Sequence, residues 1–297
     1  MHQRIAHRST RGEVQEGGKV TKFVRQSEGK KTPAKSGTAS PSFVHESGGA
    51  GLLTEKTGIT IVVPCFNEEL ALRNLRDCLQ TVQGSLGQTY SVSIVLVDDG
   101  STDETWKLMH ELFGSDQDCV LLRQPRNLGL AAAILRGIRQ AKTEIVCSID
   151  SDCTYDPQEL HKLVPMLTDG VDLVTGSPYH PLGEVRDVPQ WRLALSKTAS
   201  SLYRQVLKHK LYTYTSCFRV YRRSAIVGLD LKQNGFLGTA ELLGKLEMQG
   251  SKIVECPTTL GVRVQGVSKM RTARVLVGHL YLLGQLLATR GHQKLFR

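Results

Sequence analysis

Ile145-Val-Cys-Ser-Ile-Asp-Ser-Asp-Cys-Thr154 decides how the chain is read. A run of apolar residues stops at two carboxylates, Asp150 and Asp152, one residue apart. The run reads as a buried parallel strand, which is apolar along its length rather than alternating. Such a strand delivers its last residues to the carboxyl edge of a sheet, where open α/β sheets bind ligands. Two hard oxygen donors at this spacing suit Mg²⁺ or Mn²⁺, and these ions commonly accompany a phosphorylated substrate. A surface turn or a helix cap after a strand would use the same residues. The choice rests on what the rest of the chain places beside them.

Upstream, Ile59-Thr-Ile-Val-Val63 is a β-branched run ending at Pro64, which predicts a strand. Asn67 is placed to cap a helix carrying Leu70, Leu72, Leu75, Leu79 and Val82. A second strand, Val92–Val97, ends in Asp98-Asp99-Gly100, and Ser101 or Thr102 caps the helix that follows with Trp106, Met109 and Leu112. Val120–Leu122 predicts a third strand and Gly129–Ala141 a third helix. Beyond the acidic pair, Asp156 and Pro157 open a helix and Val171–Thr175 forms a strand. Alternating strands and helices with short connections predict an α/β fold with a doubly wound, parallel sheet. In such a sheet Asp98/Asp99 and Asp150/Asp152 converge on one edge, a coincidence that helix capping would not require.

The net charge of +10 points to an anionic partner. About half of the excess lies in residues 1–56, which hold ten Lys/Arg against five Asp/Glu and no sustained apolar period. That segment reads as a disordered basic arm. The remainder is only mildly basic, so nucleic acid is a weak inference, and phosphate groups or an anionic membrane surface fit as well. Seven cysteines lie at scattered spacings without a zinc-site pattern. With no signal-peptide pattern and no apolar run long enough for a span, a cytoplasmic chain with reduced thiols is expected.

Neither Gly-x-Gly-x-x-Gly nor Gly-x-x-x-x-Gly-Lys-Ser/Thr follows the first strand, which argues against a dehydrogenase-type dinucleotide site and a P-loop. In their place stands Pro64-Cys-Phe-Asn-Glu-Glu69, a mixture suited to a base and ribose.

Val62–Glu69, Val97-Asp-Asp-Gly-Ser-Thr-Asp-Glu-Thr105 and Ser148-Ile-Asp-Ser-Asp152 resemble the family 2 inverting glycosyltransferases of GT-A fold. Gly176-Ser177, Trp191–Ser196, Glu241–Leu243 and Arg263–Met270 are similar to the polyprenol-phosphate (dolichol-phosphate) mannose synthase subgroup. The resemblance covers residues 58–290 and divides the chain into the arm 1–56, a glycosyltransferase domain 57–270 and an amphipathic C-terminal helix and tail 271–297. It implies a mostly parallel sheet flanked by helices and a peripheral enzyme on the cytoplasmic face of a membrane. Pro64, Phe66, Asn67, Glu68, Asp99 and Asp150 would take the nucleotide sugar, of GDP-mannose or UDP-glucose type. Asp150 and Asp152 would hold Mg²⁺ or Mn²⁺ against the diphosphate. Arg192, Ser196, Arg263 and Lys269 would meet a polyprenyl phosphate, with Asp152, Arg192, Arg263 and Lys269 forming the catalytic set. The family often has Arg after Gly-Ser, where this chain has Pro178-Tyr179, and Gln where it has Thr154.

A lipid phosphate is already anionic and needs no general base, whereas a saccharide hydroxyl does. For the second acceptor Glu241 is the candidate base. Trp191, Leu193, Leu195, Leu202, Tyr203 and Val206 would form an apolar face for a membrane or for the core, and Val275–Leu287 a second one. Outside this family, Asp150-x-Asp152-x-Thr154 also fits a haloacid-dehalogenase-type phosphatase, and a non-catalytic nucleotide-sugar binding protein remains a further class.

Overall fold

The computed structural model describes residues 56–261 and 272–295. The arm, together with Arg263 and Lys269, lies outside them. The described residues belong to one compact unit.

The strand runs Gly58–Cys65 (β1), Ser91–Asp98 (β2), Cys119–Arg123 (β3) and Ile145–Ser148 (β4) form where β-branched and apolar residues concentrate. Three helices, Leu72–Leu86 (α1), Thr105–Phe113 (α2) and Leu130–Gln140 (α3), make the crossovers. After β4 a 3₁₀ turn at Pro157–Glu159 leads into Leu160–Leu163 (α4), and Asp156 caps it by accepting the Gln158 N–H at 2.9 Å. Leu173–Ser177 (β5) and Glu184–Val185 (β6) precede the helix Gln190–Val206 (α5). The chain then forms Arg219–Arg222 (β7), Arg223–Ile226 (α6), Leu237–Met248 (α7), Ile253–Pro257 (β8), Thr259–Leu260 (β9) and Thr272–Leu295 (α8).

The main sheet has the order β3-β2-β1-β4-β7-β5-β8. All pairings are parallel except those of β7, which lies antiparallel between β4 and β5. The sheet is thus mostly parallel, as the family resemblance implies, with β7 the antiparallel exception. The inserted strand, Arg-Val-Tyr-Arg, is four residues long and flanked by charge, so it carries no strand-like apolar pattern.

Strand alternation divides the core between the two faces of the sheet. Ile59, Ile61 and Val63 face one way and pack with Leu72, Leu75, Leu79 and Val82 of α1 and with Met109 and Phe113 of α2. Val62, Val95, Val97 and Val146 face the other way, toward Ile134 and Ile138 of α3, Tyr203 of α5, Leu242 and Leu246 of α7, and Leu282, Leu283 and Leu286 of α8. The C-terminal helix is therefore part of this second layer. On α5, Leu193 and Tyr203 are core residues, whereas Trp191 is exposed.

Two predicted caps are displaced. α1 starts at Leu72, and Asn67 stands upstream in a left-handed conformation, φ 53°. Its side-chain carbonyl accepts the Thr102 N–H at 2.8 Å, and its own N–H donates to Ser101 Oγ at 2.9 Å. α2 starts at Thr105, whose N–H is taken by Asp103 Oδ1 at 3.0 Å rather than by Ser101 or Thr102. These polar groups join the two strand-end loops to each other instead of closing helices.

Candidate active site

Register aligns the strand ends. β1 pairs Cys65 with Asp98 of β2 and Val62 with Ser148 of β4. The Ile149 N–H still bonds Val62 O at 3.1 Å, so the chain leaves the sheet at Asp150, beside Pro64 and the Asp98/Asp99 turn. The carboxylates of both strand ends thus collect on the edge of the sheet that their sequence positions predict.

Asp150, Asp152 and Thr154 line a cavity of about 210 Å³. Its other walls include Tyr179, Ser196, Thr213, Thr215, Ser216 and Cys217. The Cys217 thiol donates to Asp150 Oδ1. Asp152 Oδ1 accepts the Thr154 N–H at 3.1 Å and the Thr154 hydroxyl at 3.0 Å. Thr154 therefore braces Asp152, an outcome its substitution for Gln left open. Among the described residues no cluster of three His, Cys, Asp or Glu side chains is arranged for a metal. Two carboxylates alone still fit Mg²⁺ or Mn²⁺, because such ions complete an octahedron with waters and substrate phosphates.

The far side of the cavity is held by two charged residues, Arg219 and Glu255. Arg219, fully buried, donates to Tyr214 O at 2.9 Å, Thr239 O at 2.8 Å and Thr175 Oγ1 at 3.4 Å. Glu255 accepts the N–H groups of Tyr212 and Thr213, each at 2.8–2.9 Å. Both residues fix the 212–217 segment that faces Asp150, and motif reading had passed over them. Ser196 of α5 meets this wall through Thr215, Oγ to Oγ1 3.1 Å. Lys197, the next residue, stands 5.6 Å from the Tyr179 ring centroid, bringing a cation to the rim. Arg192 lies on the same helix one turn before Ser196.

A second cavity, of about 750 Å³, opens beside Phe66, Gly100, Ser101 and Thr102, with Arg123, Gln124, Arg126 and Arg136 opposite. Glu68 is tied to its rim by a 2.8 Å bond from its N–H to Thr105 Oγ1. Asp99, expected to contact the ligand, is 2 % exposed and heavily engaged. It accepts Gln124 Nε2, the Leu128 N–H and the Gly129 N–H, all at 2.8 Å. Burial raises its pKa, and the two backbone donors oppose that shift. Asp99 thereby ties the 124–129 loop to the end of β2. Asp98 pairs instead with Arg123 Nε at 3.0 Å.

Glu241, the candidate base, is 2 % exposed on α7. Its carboxylate accepts the N–H groups of Lys232 at 3.0 Å and Gln233 at 2.7 Å, and pairs with Lys245 at 2.8 Å. It is an anchor for the 232–233 turn. Burial raises the pKa of the Cys153 thiol, with Cys78 beside it adding to the shift. Cys147 is pushed up to about 12 by burial. Neither environment favours a thiolate.

The glycosyl transferase family 2 profile matches residues 60–228. The chain is 30 % identical over 229 residues to a dolichol-phosphate mannosyltransferase of Pyrococcus furiosus, covering 76 % of this chain and 63 % of that protein. It thus spans slightly less than two thirds of that relative's length. It is 34 % identical over 245 residues to the polyprenol monophosphomannose synthase of Mycolicibacterium smegmatis, covering 78 % of this chain and 89 % of that one. Among solved structures, glucosyl-3-phosphoglycerate synthase of Mycobacterium tuberculosis in complex with Mn²⁺, UDP and glucosyl-3-phosphoglycerate shares the fold. Its TM-score is 0.56 at 20 % identity, over 77 % of this chain and 80 % of that one. The acidic strand ends, the interlocked 66–69 and 101–105 loops and the profile match agree: this chain belongs to glycosyl transferase family 2 and has its mostly parallel GT-A sheet.

Proposed function

We propose that the protein is a metal-dependent, inverting hexosyltransferase that moves a sugar from a nucleotide donor, of GDP-mannose or UDP-glucose type, to a polyprenyl phosphate. The observation that carries the choice of acceptor is the make-up of the first cavity. Among its described lining residues, Asp150 and Asp152 are the only ones with a carboxylate or imidazole. Both are the candidate metal ligands, and Glu241 is committed to Lys232, Gln233 and Lys245. A site with no spare base suits a nucleophile that is already an anion.

A divalent ion held by Asp150 and Asp152 would supply Lewis-acid stabilisation of the leaving diphosphate. The nucleotide would lie along Phe66 and the 101–105 loop. Arg192, Ser196, Arg263 and Lys269 would gather the acceptor phosphate through charge-assisted bonds. They would offset the repulsion between an anionic nucleophile and an anionic donor. The names of the two relatives, one a dolichol-phosphate mannosyltransferase and the other a polyprenol monophosphomannose synthase, support this acceptor. The Mn²⁺ and UDP of the solved neighbour support the cofactor and donor classes. Among the described residues no helix is long and apolar enough to cross a membrane. The bilayer contact that a lipid acceptor requires would be made peripherally, at the cytoplasmic face.

Incubating the protein with labelled GDP-mannose or UDP-glucose, Mn²⁺ and a short-chain polyprenyl phosphate should move label into the organic phase from one donor. Asp152→Ala should lower that rate by on the order of a thousandfold or more, as expected when several kcal/mol of leaving-group stabilisation is lost. A near-normal rate in the variant contradicts the site assignment.

A further inference from the structure

We propose that the outer face of α8 is a docking surface for an anionic lipid bilayer. The inner face of this helix is accounted for. His279, Leu282, Leu283 and Leu286 are buried, and Tyr203 of α5 bonds His279 Nδ1 at 2.9 Å. A Cβ on Gly278 would come within 2.3 Å of Leu237, and one on Gly244 of α7 within 2.9 Å of Leu286, so the backbones approach closely there.

The opposite face is also apolar. Val277, Leu280, Tyr281, Gly284, Leu287 and Ala288 recur at helical spacing and are all exposed. The four large ones retain 66 %, 53 %, 63 % and 51 % of their surface. A helix that is apolar on both faces belongs in an apolar environment on both sides, and among the described residues only the inner face has its partner.

Charge decides the occupant. From Cys256 to Arg297 the sequence holds seven Lys/Arg and no Asp or Glu. Four of the seven, Arg271, Arg274, Arg290 and Lys294, bracket the apolar stretch within or next to α8. An apolar face with basic flanks is the pattern of a helix lying in the interface of an anionic membrane. Two copies joined through α8 would bring these like charges together, which opposes association. Among the described residues no helix is long and apolar enough to cross a membrane, and α8 would lie along the bilayer rather than through it. α8 packs on α5, which carries Ser196 to the cavity, so docking there would hold the proposed acceptor site at the lipid surface. In that respect the inference rests on the lipid-phosphate reading.

The test is co-sedimentation of the full chain with vesicles of phosphatidylcholine, with and without phosphatidylserine, for wild type and the double variant Leu280→Gln/Leu287→Gln. The wild type should bind the anionic vesicles preferentially, and the variant should bind them about a hundredfold more weakly. Equal thermal midpoints would show that the variant is folded. Equal vesicle binding by the two proteins overturns the proposal, as does a wild type that ignores vesicles. A dimer that depends on Leu280 and Leu287 without vesicle binding overturns it in favour of self-association. Transfer to a water-soluble short-chain acceptor is measured in parallel and should be unchanged in the variant. Its absence in both proteins, with vesicle binding intact, would remove the transferase reading and leave the surface standing.

Discussion

Asp99 and Asp152 are both strand-end carboxylates, and their surroundings separate their roles. Asp99 takes three donors from the 124–129 loop and is nearly sealed from solvent, whereas Asp152 lines an open cavity with Thr154 bracing one of its oxygens. Asp99→Asn would replace one accepting oxygen by an amide donor facing a backbone N–H. A loss of about 1–3 kcal/mol is expected, measured by urea denaturation, together with a raised KM for the nucleotide donor. Unchanged stability would show that the loop is held by other means. Sequence made Asp150 and Asp152 legible because an apolar run points them at the sheet edge. It gave no sign of the donors that hold Asp99, because Gln124 and two main-chain amides come from a loop with no motif. Arg219 and Glu255 escaped for a related reason. Their work is to bind backbone carbonyls and amides of the cavity wall, a pairing without a sequence signature.

At the scale of elements, two junctions govern the site. α3 is preceded by Gly129, whose φ of 106° lies in the region that favours glycine and whose Cβ would stand 2.5 Å from Asn234 O. Gly129→Ala should cost about 1–3 kcal/mol through strain alone, lowering the thermal midpoint by about 2–4 °C for each kcal/mol. An unchanged midpoint would mean that the 234–235 turn yields freely. The second junction is α5 on α8, where burial lowers the His279 pKa from 6.5 to about 4. The folded state therefore holds a neutral imidazole while the unfolded chain binds a proton below pH 6.5. Stability from this site is complete above that value and is lost as pH falls toward about 4, by no more than about 3 kcal/mol. Denaturation midpoints across this range should slope for wild type and flatten for His279→Asn. Equal slopes would show that other groups set the acid limit. The alternating elements up to β5 were readable because each strand is a dense apolar run. β7 was not, since its four residues begin and end in Arg and its antiparallel place between β4 and β5 depends on a long excursion through α5.

On the scale of the whole molecule, the sheet divides labour. One layer, α1 and α2 over the first face, is largely core, and the loops above it frame the cavity at Phe66. The other layer, α3, α5, α7 and α8, contributes Ser196 to the cavity at Asp150 and ends in a helix with a bare apolar face. In the proposed reading the nucleotide lies at the cavity beside Phe66, while the metal, the diphosphate and the acceptor phosphate would meet at the cavity lined by Asp150, Asp152 and Ser196. The central claim is that these parts serve transfer to a lipid phosphate without a protein base. Release of nucleoside diphosphate from a labelled nucleotide sugar, with Mn²⁺ present, tests it directly when polyprenyl phosphate and a saccharide acceptor are compared side by side. The account predicts release that depends on polyprenyl phosphate and does not respond to the saccharide; release driven by the saccharide, and not by the lipid phosphate, would contradict it.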